Sequence, residues 1–390
     1  MYSDIFMVIA MMSFMNKDIK KERIRMAGKY SLTKFADIDF DDPFFDSLKK
    51  DYPGSENSTG FVEWANQKAK EGATALTFDD EEGVGAFIRL KDENEPIYMK
   101  EGILEPAPCT KISTLRIAER FRGQRIGEGA IGLVLWKWRD SDNNEIYVTI
   151  YEKQNTLIQL LEKFGFILLG YNLDGECIYM KSRKNIDYSD PYKSFPFINP
   201  NFEKGGYLLM KEQYHDTMFP YSELKNTLQA AVALNVTNGL SKIYVGAQYT
   251  KPHYKPGEPI FIYRIYDGPG QKRYKSCLTS ICIVTDVIMA KRNGNLLISF
   301  DDLLKRISNK SVFDTQELRR RYASDRNMFV IEMLYYGYFG AGNNVNMDWL
   351  DKNNLWSGPG SYPTEVKLTQ AQVKRILEEG KIDVQNIIID

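Results

Sequence analysis

Between Lys29 and about Lys181 the spacing of apolar residues switches repeatedly between a period of two and a period near three and a half. Residues 29–35 alternate as a strand, whereas Phe61, Trp64, Ala65 and Ala69 share one helical face that stops at Gly72. Residues 73–90 read as a hairpin around an acidic, glycine-containing turn. A strand over 110–118 runs straight into a glycine- and arginine-rich stretch, after which Ala130, Leu133, Val134 and Trp138 recur at helical spacing. Residues 145–150 alternate again, with Ile146, Val148 and Ile150 facing one way. Leu157, Leu160, Leu161 and Phe164 mark a further helix ending near Gly165, and strands over 166–172 and 176–181 close the unit.

Prolines, asparagines and aromatics then interrupt the rhythm. The second half has long β-rich runs at 258–267, 275–290 and 327–339, and helical patterns at 300–322 and 369–380. The pattern predicts an N-terminal extension (1–28), a first domain (29–182), a linker (183–204) and a second domain (205–390). No internal repeat and no low-complexity tract is evident.

Composition narrows the classes. With 390 residues, 43% of them hydrophobic, the chain can build two packed cores. A formal charge of −1 advertises neither a nucleic acid nor a membrane, so a partner of either kind needs a local patch. Cys109, Cys177, Cys277 and Cys282 have no paired spacing, and the only histidines are His215 and His253. A disulfide framework or a zinc site is therefore not expected, and the thiols read as reduced cysteines of a cytosolic protein. The apolar run at 5–15 is shorter than the about 20 residues a membrane span needs. It reads as an N-terminal extension, or as the product of an early start codon with Met15 or Met26 as alternatives; a membrane anchor is the minor reading.

The chemistry-bearing stretch is Glu119–Gly132, with three arginines and four glycines ahead of and inside a helical pattern. The first amides of a helix lack intrahelical partners and its dipole places about half a positive charge there, so strand, glycine turn and helix together make an anion receptor. Arg120, Arg122 and Arg125 add charge. The same glycines also suit a helix start that merely needs a tight turn, and spacing alone leaves both readings open.

Two motifs in the right order carry a resemblance. Gln124-Arg125-Ile126-Gly127-Glu128-Gly129, after a strand, resembles the pyrophosphate signature of the GNAT family of N-acetyltransferases. Residues 154–166, ending Glu162-Lys163-Phe164-Gly165-Phe166, resemble that family's second signature. The resemblance spans the first domain and implies an α+β fold of α/β character, with a mixed central sheet and flanking helices. It implies acetyl-CoA as donor, lying between the strand that ends at Ile117 and the strand around Val148. Its pyrophosphate would rest on the backbone of Gln124, Arg125, Ile126, Gly127, Glu128 and Gly129, with Arg122 nearby. The backbone of Leu115 to Ile117 would pair with the pantetheine arm and polarise the thioester carbonyl, and Gln154 or Asn155 would touch the cofactor arm. An amine would attack the thioester directly, with proximity supplying much of the rate.

The sequence departs from the family pattern twice. Arg125 replaces the usual third glycine, which would crowd the loop if the backbone needs positive φ. Leu161 stands where many members carry the tyrosine that protonates the leaving thiolate, making Tyr151 and Tyr171 the nearest substitutes. No acid lies on the strand before the loop, and Glu119 in the turn is the candidate base. A weak base favours an α-amine, with a pKa near 7.7–8.0, over a lysine side chain near 10.4.

The second domain resembles the PUA/ASCH/EVE group of small barrels, on the pattern of its strands and turns alone. This implies a PUA-like β-barrel α+β domain that binds RNA or modified nucleic acid. Lys272, Arg273, Lys275, Arg319 and Arg320 are the candidate contacts, with Arg321 beside them and Tyr249, Tyr254 and Tyr274 as stacking platforms. Each also reads as a solvated or packed residue, and Tyr335, Tyr336, Tyr338 and Phe339 read as core. His215 reads as a hydrogen-bonded structural histidine. The sequence-level function is an acetyl-CoA-dependent N-acetyltransferase whose second domain selects the acceptor, RNA or an RNA-borne amine included. The alternative is a catalytically weak CoA-binding regulator that reads nucleic acid.

Overall fold

The computed structural model describes residues 30–54, 59–219, 238–247, 252–340, 342–356 and 363–388. The apolar run at 5–15, Met15, Met26 and Tyr249 lie outside them. The fold is α+β, and its described residues form two compact units. One holds 30–54, 59–93 and 110–123; the other holds 94–109 and everything described from 124 onward.

In the first unit the strands run in the order β1 (Ser31–Lys34), β2 (Thr74–Asp80), β3 (Gly83–Glu93) and β6 (Cys109–Ile117), and β1–β2 and β2–β3 are antiparallel. Helices α1 (Asp46–Asp51) and α2 (Phe61–Lys70) complete it. The period-of-four face of α2 buries Phe61 and Ala65. Phe61 joins a cluster with Phe35, Phe45 and Phe87, where edge-to-face ring pairs supply both area and geometry. Arg120 locks the β2–β3 turn by donating to Asp80 at 2.8 Å and to the carbonyls of Gly83 and Val84.

The second unit contains a short hairpin, β4 (Ile97–Met99) with β5 (Gly102–Leu104), and the antiparallel strands β7 (Glu145–Ile150), β9 (Cys177–Ser182) and β8 (Ile167–Tyr171) in that order. Helices α3 (Ile126–Arg139) and α4 (Asn155–Lys163) flank them. The second sheet has the order β10 (Gly206–Lys211), β12 (Pro259–Ile265), β13 (Cys277–Arg292), β15 (Met328–Tyr338) and β11 (Ser241–Gly246). Two short strands, β14 (Asn295–Leu296) and β16 (Val345–Asn346), pair with β13 off this path. The β10–β12 pair is parallel and the other pairs are antiparallel. Three register shifts along β13–β15 and one between β12 and β13 bend the long strands, as bulges do, and curl the sheet. Helices α5 (Pro191–Ser194), α6 (Glu212–Met218), α7 (Lys272–Lys275), α8 (Phe300–Ile307), α9 (Thr315–Ser324), α10 (Met347–Lys352), α11 (Gln370–Glu379) and α12 (Val384–Ile387) belong to the same unit.

Helix α3 is buried nearly all round rather than on one stripe: Ala130, Ile131, Val134, Leu135 and Trp138 are all 0% exposed. Such a helix must be enclosed by neighbours. Trp136 stands edge-on to Tyr335 of β15 at 5.5 Å, and Trp138 edge-on to Phe197 at 5.3 Å. The stretch 183–204, read from its composition as a linker, is packed, with Phe195, Phe197 and Ile198 buried. Arg183 closes the C-terminus of α3 by donating to the carbonyls of Trp138, Arg139 and Ser141 at 2.6–2.9 Å, where the helix dipole favours a cation.

Residues 238–241 come close enough to α3 to require glycines on it. A Cβ on Gly132 would lie 2.5–2.7 Å from three side-chain atoms of Leu240, which is itself buried. Gly132→Val should therefore lower the free energy of unfolding by about 1–3 kcal/mol, the usual cost of overpacking; denaturant titration measures it, and unchanged stability would refute this packing.

Candidate functional site

The stretch that the sequence marks as an anion receptor leads into the N-terminus of α3, a helix of 14 residues. Its N-cap, Arg125, has φ 64° and ψ 14°, so the backbone does adopt the left-handed conformation there. For an L-residue this costs roughly 1–2 kcal/mol. The expected crowding is avoided because the side chain is led away and held. Its Nη2 donates to Glu128 Oε2 at 3.1 Å, to Ser241 Oγ at 2.6 Å, and to the Ser241 carbonyl. Ser241 N–H in turn donates to Glu128 Oε1 at 2.6 Å. The side chains of Arg125 and Glu128 are 9% and 11% exposed, so water screens them little. Hydrogen bonds to charged groups contribute about 1.5–3 kcal/mol each, which is enough to offset the backbone strain.

Burial pushes the Glu128 carboxyl up, but Arg125, Lys163 and the two hydrogen bonds from Ser241 outweigh it and hold the group below the usual carboxylate range. Asn238 adds a second tether, donating from Nδ2 to the Gln124 carbonyl at 3.0 Å. Its own carbonyl occupies the place a Cβ on Gly129 would take. The side chains of Arg125 and Glu128 thus face residues 238–241.

Leu115 and Ile117, two other expected residues, are half-buried on β6, while Arg122 is exposed and Glu119 is exposed on the short 3-10 turn after β6. Gln154 and Asn155 are exposed at the start of α4. Leu161 is a core residue, 1% exposed. Tyr171 is half-buried, and its hydroxyl donates to Glu152 Oε1 at 2.9 Å; this bond is the largest cause of a phenol pKa above the ordinary value. Tyr151 is half-buried at the end of β7 with the Lys153 ammonium 5.3 Å from its ring centre.

The end of the second signature is anchored from β9. Lys181, 4% exposed, donates to the carbonyls of Phe164 and Lys193 at 2.5 Å each. Tyr179 donates to Glu162 at 3.0 Å, and burial together with that bond pushes its pKa up to about 12. Sequence reasoning missed this anchor, as it missed Asn238 and Ser241.

The basic residues expected to meet nucleic acid are engaged locally. Arg273 bonds Asp348 and Asp351 at 2.7 Å each, Lys272 lies 3.7 Å from Asp267, and Lys275 donates to Tyr266 and the Pro269 carbonyl. Arg320 and Arg321 both pair with Glu317, and Arg319 lies over the Phe300 ring at 4.4 Å. Tyr254 is buried and donates to the Tyr207 carbonyl, while Tyr274 is exposed. Tyr335, Tyr336 and Phe339 are core, and Tyr338 is 37% exposed. His215 is fully buried between Asp216 and Thr279, a structural histidine. The four cysteines are buried, and none forms a disulfide among the described residues. Among the described residues no three His, Cys, Asp or Glu side chains are grouped to hold a metal, and no helix is long and apolar enough to cross a membrane.

Comparison with known proteins decides the family of the region that carries the two signatures. Residues 42–166 match the family model described as Acetyltransferase (GNAT) family. This segment is a GNAT acetyltransferase domain. It takes in both signatures and ends at Phe166, so Asn238 and Ser241 lie outside it. No curated protein matches the chain in sequence. Among solved structures, a GNAT-family acetyltransferase from Streptococcus agalactiae is 18% identical, with 40% of this chain and 96% of that one covered and a TM-score of 0.30. A GNAT-family N-acetyltransferase from Escherichia coli in complex with CoA is 16% identical, with coverage of 40% and 82% and a TM-score of 0.27. An ASCH protein from Zymomonas mobilis is 8% identical, with coverage of 45% and 94% and a TM-score of 0.29. Likenesses this distant carry no functional argument, and the family of the domain rests on the match over residues 42–166.

Burial, working against carboxylate neighbours, takes the Lys181 ammonium down to about 7, and burial is also the main reason that Lys242 falls to about 7. An unfolded lysine keeps its proton to about pH 10.4. Above pH 7 the unfolded chain therefore binds more protons, and stability rises with pH until the buried cysteines, shifted upward, oppose the trend beyond about pH 8.5. Each lysine contributes up to about 1 kcal/mol per pH unit in that window. Lys181→Met should flatten the rise in unfolding free energy from pH 7 to 8.5, and a slope identical to that of the native chain would refute the assignment.

Proposed function

We propose that the chain is an acetyl-CoA-dependent N-acetyltransferase that transfers the acetyl group directly to an amine, with the turn from Gln124 to Gly129 binding the cofactor's pyrophosphate. The observation that carries this reading is the left-handed Arg125 ahead of a 14-residue helix, inside the segment that matches the acetyltransferase family.

The residues present fit a pyrophosphate. Arg125 Nη1 is buried and has no partner among the described residues, so its charge adds to the positive potential at the start of α3 without touching the anion. The first-turn amides of α3 and the helix dipole are the proposed anion-binding elements. Bound there, the cofactor supplies an acyl thioester. The chain's contribution is to hold it, with the backbone amides of Gly127 and Glu128 on the diphosphate and Gln154 or Asn155 beside the arm. Calorimetry should show saturable binding of coenzyme A to the native chain and its loss in Gly127→Glu, which places a carboxylate against the diphosphate; absence of binding by the native chain would end this reading.

Tyr151 and Tyr171 are the proposed donors to the departing thiolate; the bond to Glu152 makes the Tyr171 hydroxyl less acidic, which favours Tyr151. Glu119, exposed, is the proposed base. With one solvated carboxylate as base, an α-amine near pKa 8 is the easier acceptor, and we extend the proposal to peptide, aminoacyl-tRNA or small-molecule α-amines. In this reading the second sheet selects the acceptor, RNA-borne amines included, from a cytosolic setting. One acetylation assay tests these roles. Matched α-amine acceptors should react faster than ε-amine ones, and Tyr151→Phe should lower kcat by about 10²-fold while Tyr171→Phe changes it little. Faster ε-amine transfer, or an unaffected Tyr151 variant, would overturn them.

A further inference from the structure

We propose that the cofactor loop is set by a strap lying outside the acetyltransferase segment, with Asn238 and Ser241 acting through Gln124, Arg125 and Glu128 as positioning residues for coenzyme A. This rests on the reading that the loop takes the diphosphate.

The strap reaches the loop at four successive points. Asn238 Nδ2 holds the Gln124 carbonyl at 3.0 Å. Ser241 accepts from Arg125 through both its hydroxyl and its carbonyl. Ser241 N–H donates to Glu128 Oε1 at 2.6 Å while Glu128 Oε2 accepts from Arg125, closing a ring of three residues. The Asn238 carbonyl packs where Gly129 lacks a side chain.

The strap is itself fixed. Ser241 begins β11 and stands in register with Leu334 of β15, and the Tyr335 N–H donates to the Leu240 carbonyl at 3.0 Å. A sheet that lies outside the acetyltransferase segment therefore holds the φ of Arg125. Family members with glycine at that position need no such support, because glycine enters the left-handed region without strain. Here the departure from glycine and the strap belong together: an arginine can replace glycine because Ser241 and Glu128 receive its side chain. Without them the residue relaxes toward negative φ, and the amides after it lose their common direction.

The test uses the full-length chain, with coenzyme A as ligand and amide hydrogen exchange at residues 126–129 of the cofactor-free protein as a second readout. Ser241→Ala and Glu128→Ala should each weaken coenzyme A binding about tenfold, the scale of one charge-assisted hydrogen bond. Exchange at 126–129 should speed up, and the KM for acetyl-CoA should rise with kcat at saturation held. Ser241→Thr, which keeps the hydroxyl, should restore native affinity. In an Arg125→Gly background the Ser241→Ala change should lose most of its effect, a coupling that general destabilisation does not produce. Should Glu128→Ala fail to fold, Glu128→Gln with Ser241→Ala decides the matter. Native affinity and native exchange in both strap variants would overturn the proposal while leaving the cofactor reading intact. A native chain that binds no coenzyme A overturns the cofactor reading and this proposal with it.

Discussion

A single arginine held at positive φ by a serine more than a hundred positions away is the constraint on which the candidate site depends. Arg125 turns the chain into α3, and its side chain bonds to Glu128 and to both the hydroxyl and carbonyl of Ser241. The strain of a left-handed arginine is small, and so is each bond that offsets it; the balance is favourable because all three groups are nearly buried and the ring they form is complete. Remove any member and a buried charge is left partly unpaired, which is costlier than the bond itself.

The rest of the second unit is organised to keep that ring in place. Helix α3 is enclosed by aromatic and aliphatic neighbours, with glycines at its two closest approaches to 238–240. Arg183 caps its far end on three carbonyls, and Lys181 ties the end of the second signature to the segment around Lys193. Three lysines of this unit, Lys181, Lys242 and Lys291, are buried, and burial lowers the pKa of Lys181 and Lys242 to about 7.

Local patterns were legible in the sequence, and distant ones were not. The helix beginning at Phe61, the hairpin from Thr74 and the strand at Glu145 are written in periodicity, because one face of each meets a core. Both signatures could be read because their glycines and charges sit within a dozen or so residues of one another. Arg125 looked like a defect for the same reason, since its partner Ser241 is invisible to any local window. β11 was missed altogether: residues 241–246 form a short strand with both faces covered, so no alternation marks it. Likewise the basic residues near 272 and 319 suggested a nucleic-acid surface, whereas Asp348, Asp351 and Glu317 supply acids that engage them. Composition signalled a linker at 183–204, yet the same aromatics that break the pattern there are what bury it.

The central claim is that the amides opening α3, held by this ring, receive a diphosphate. Nuclear magnetic resonance of the amides of Gly127 and Gly129 tests it most directly, by titrating the chain with coenzyme A and, separately, with pantetheine, which lacks the diphosphate. The account predicts saturable shifts of both resonances with coenzyme A and none with pantetheine. Resonances that stay fixed through a coenzyme A titration, or that move equally with pantetheine, would contradict it.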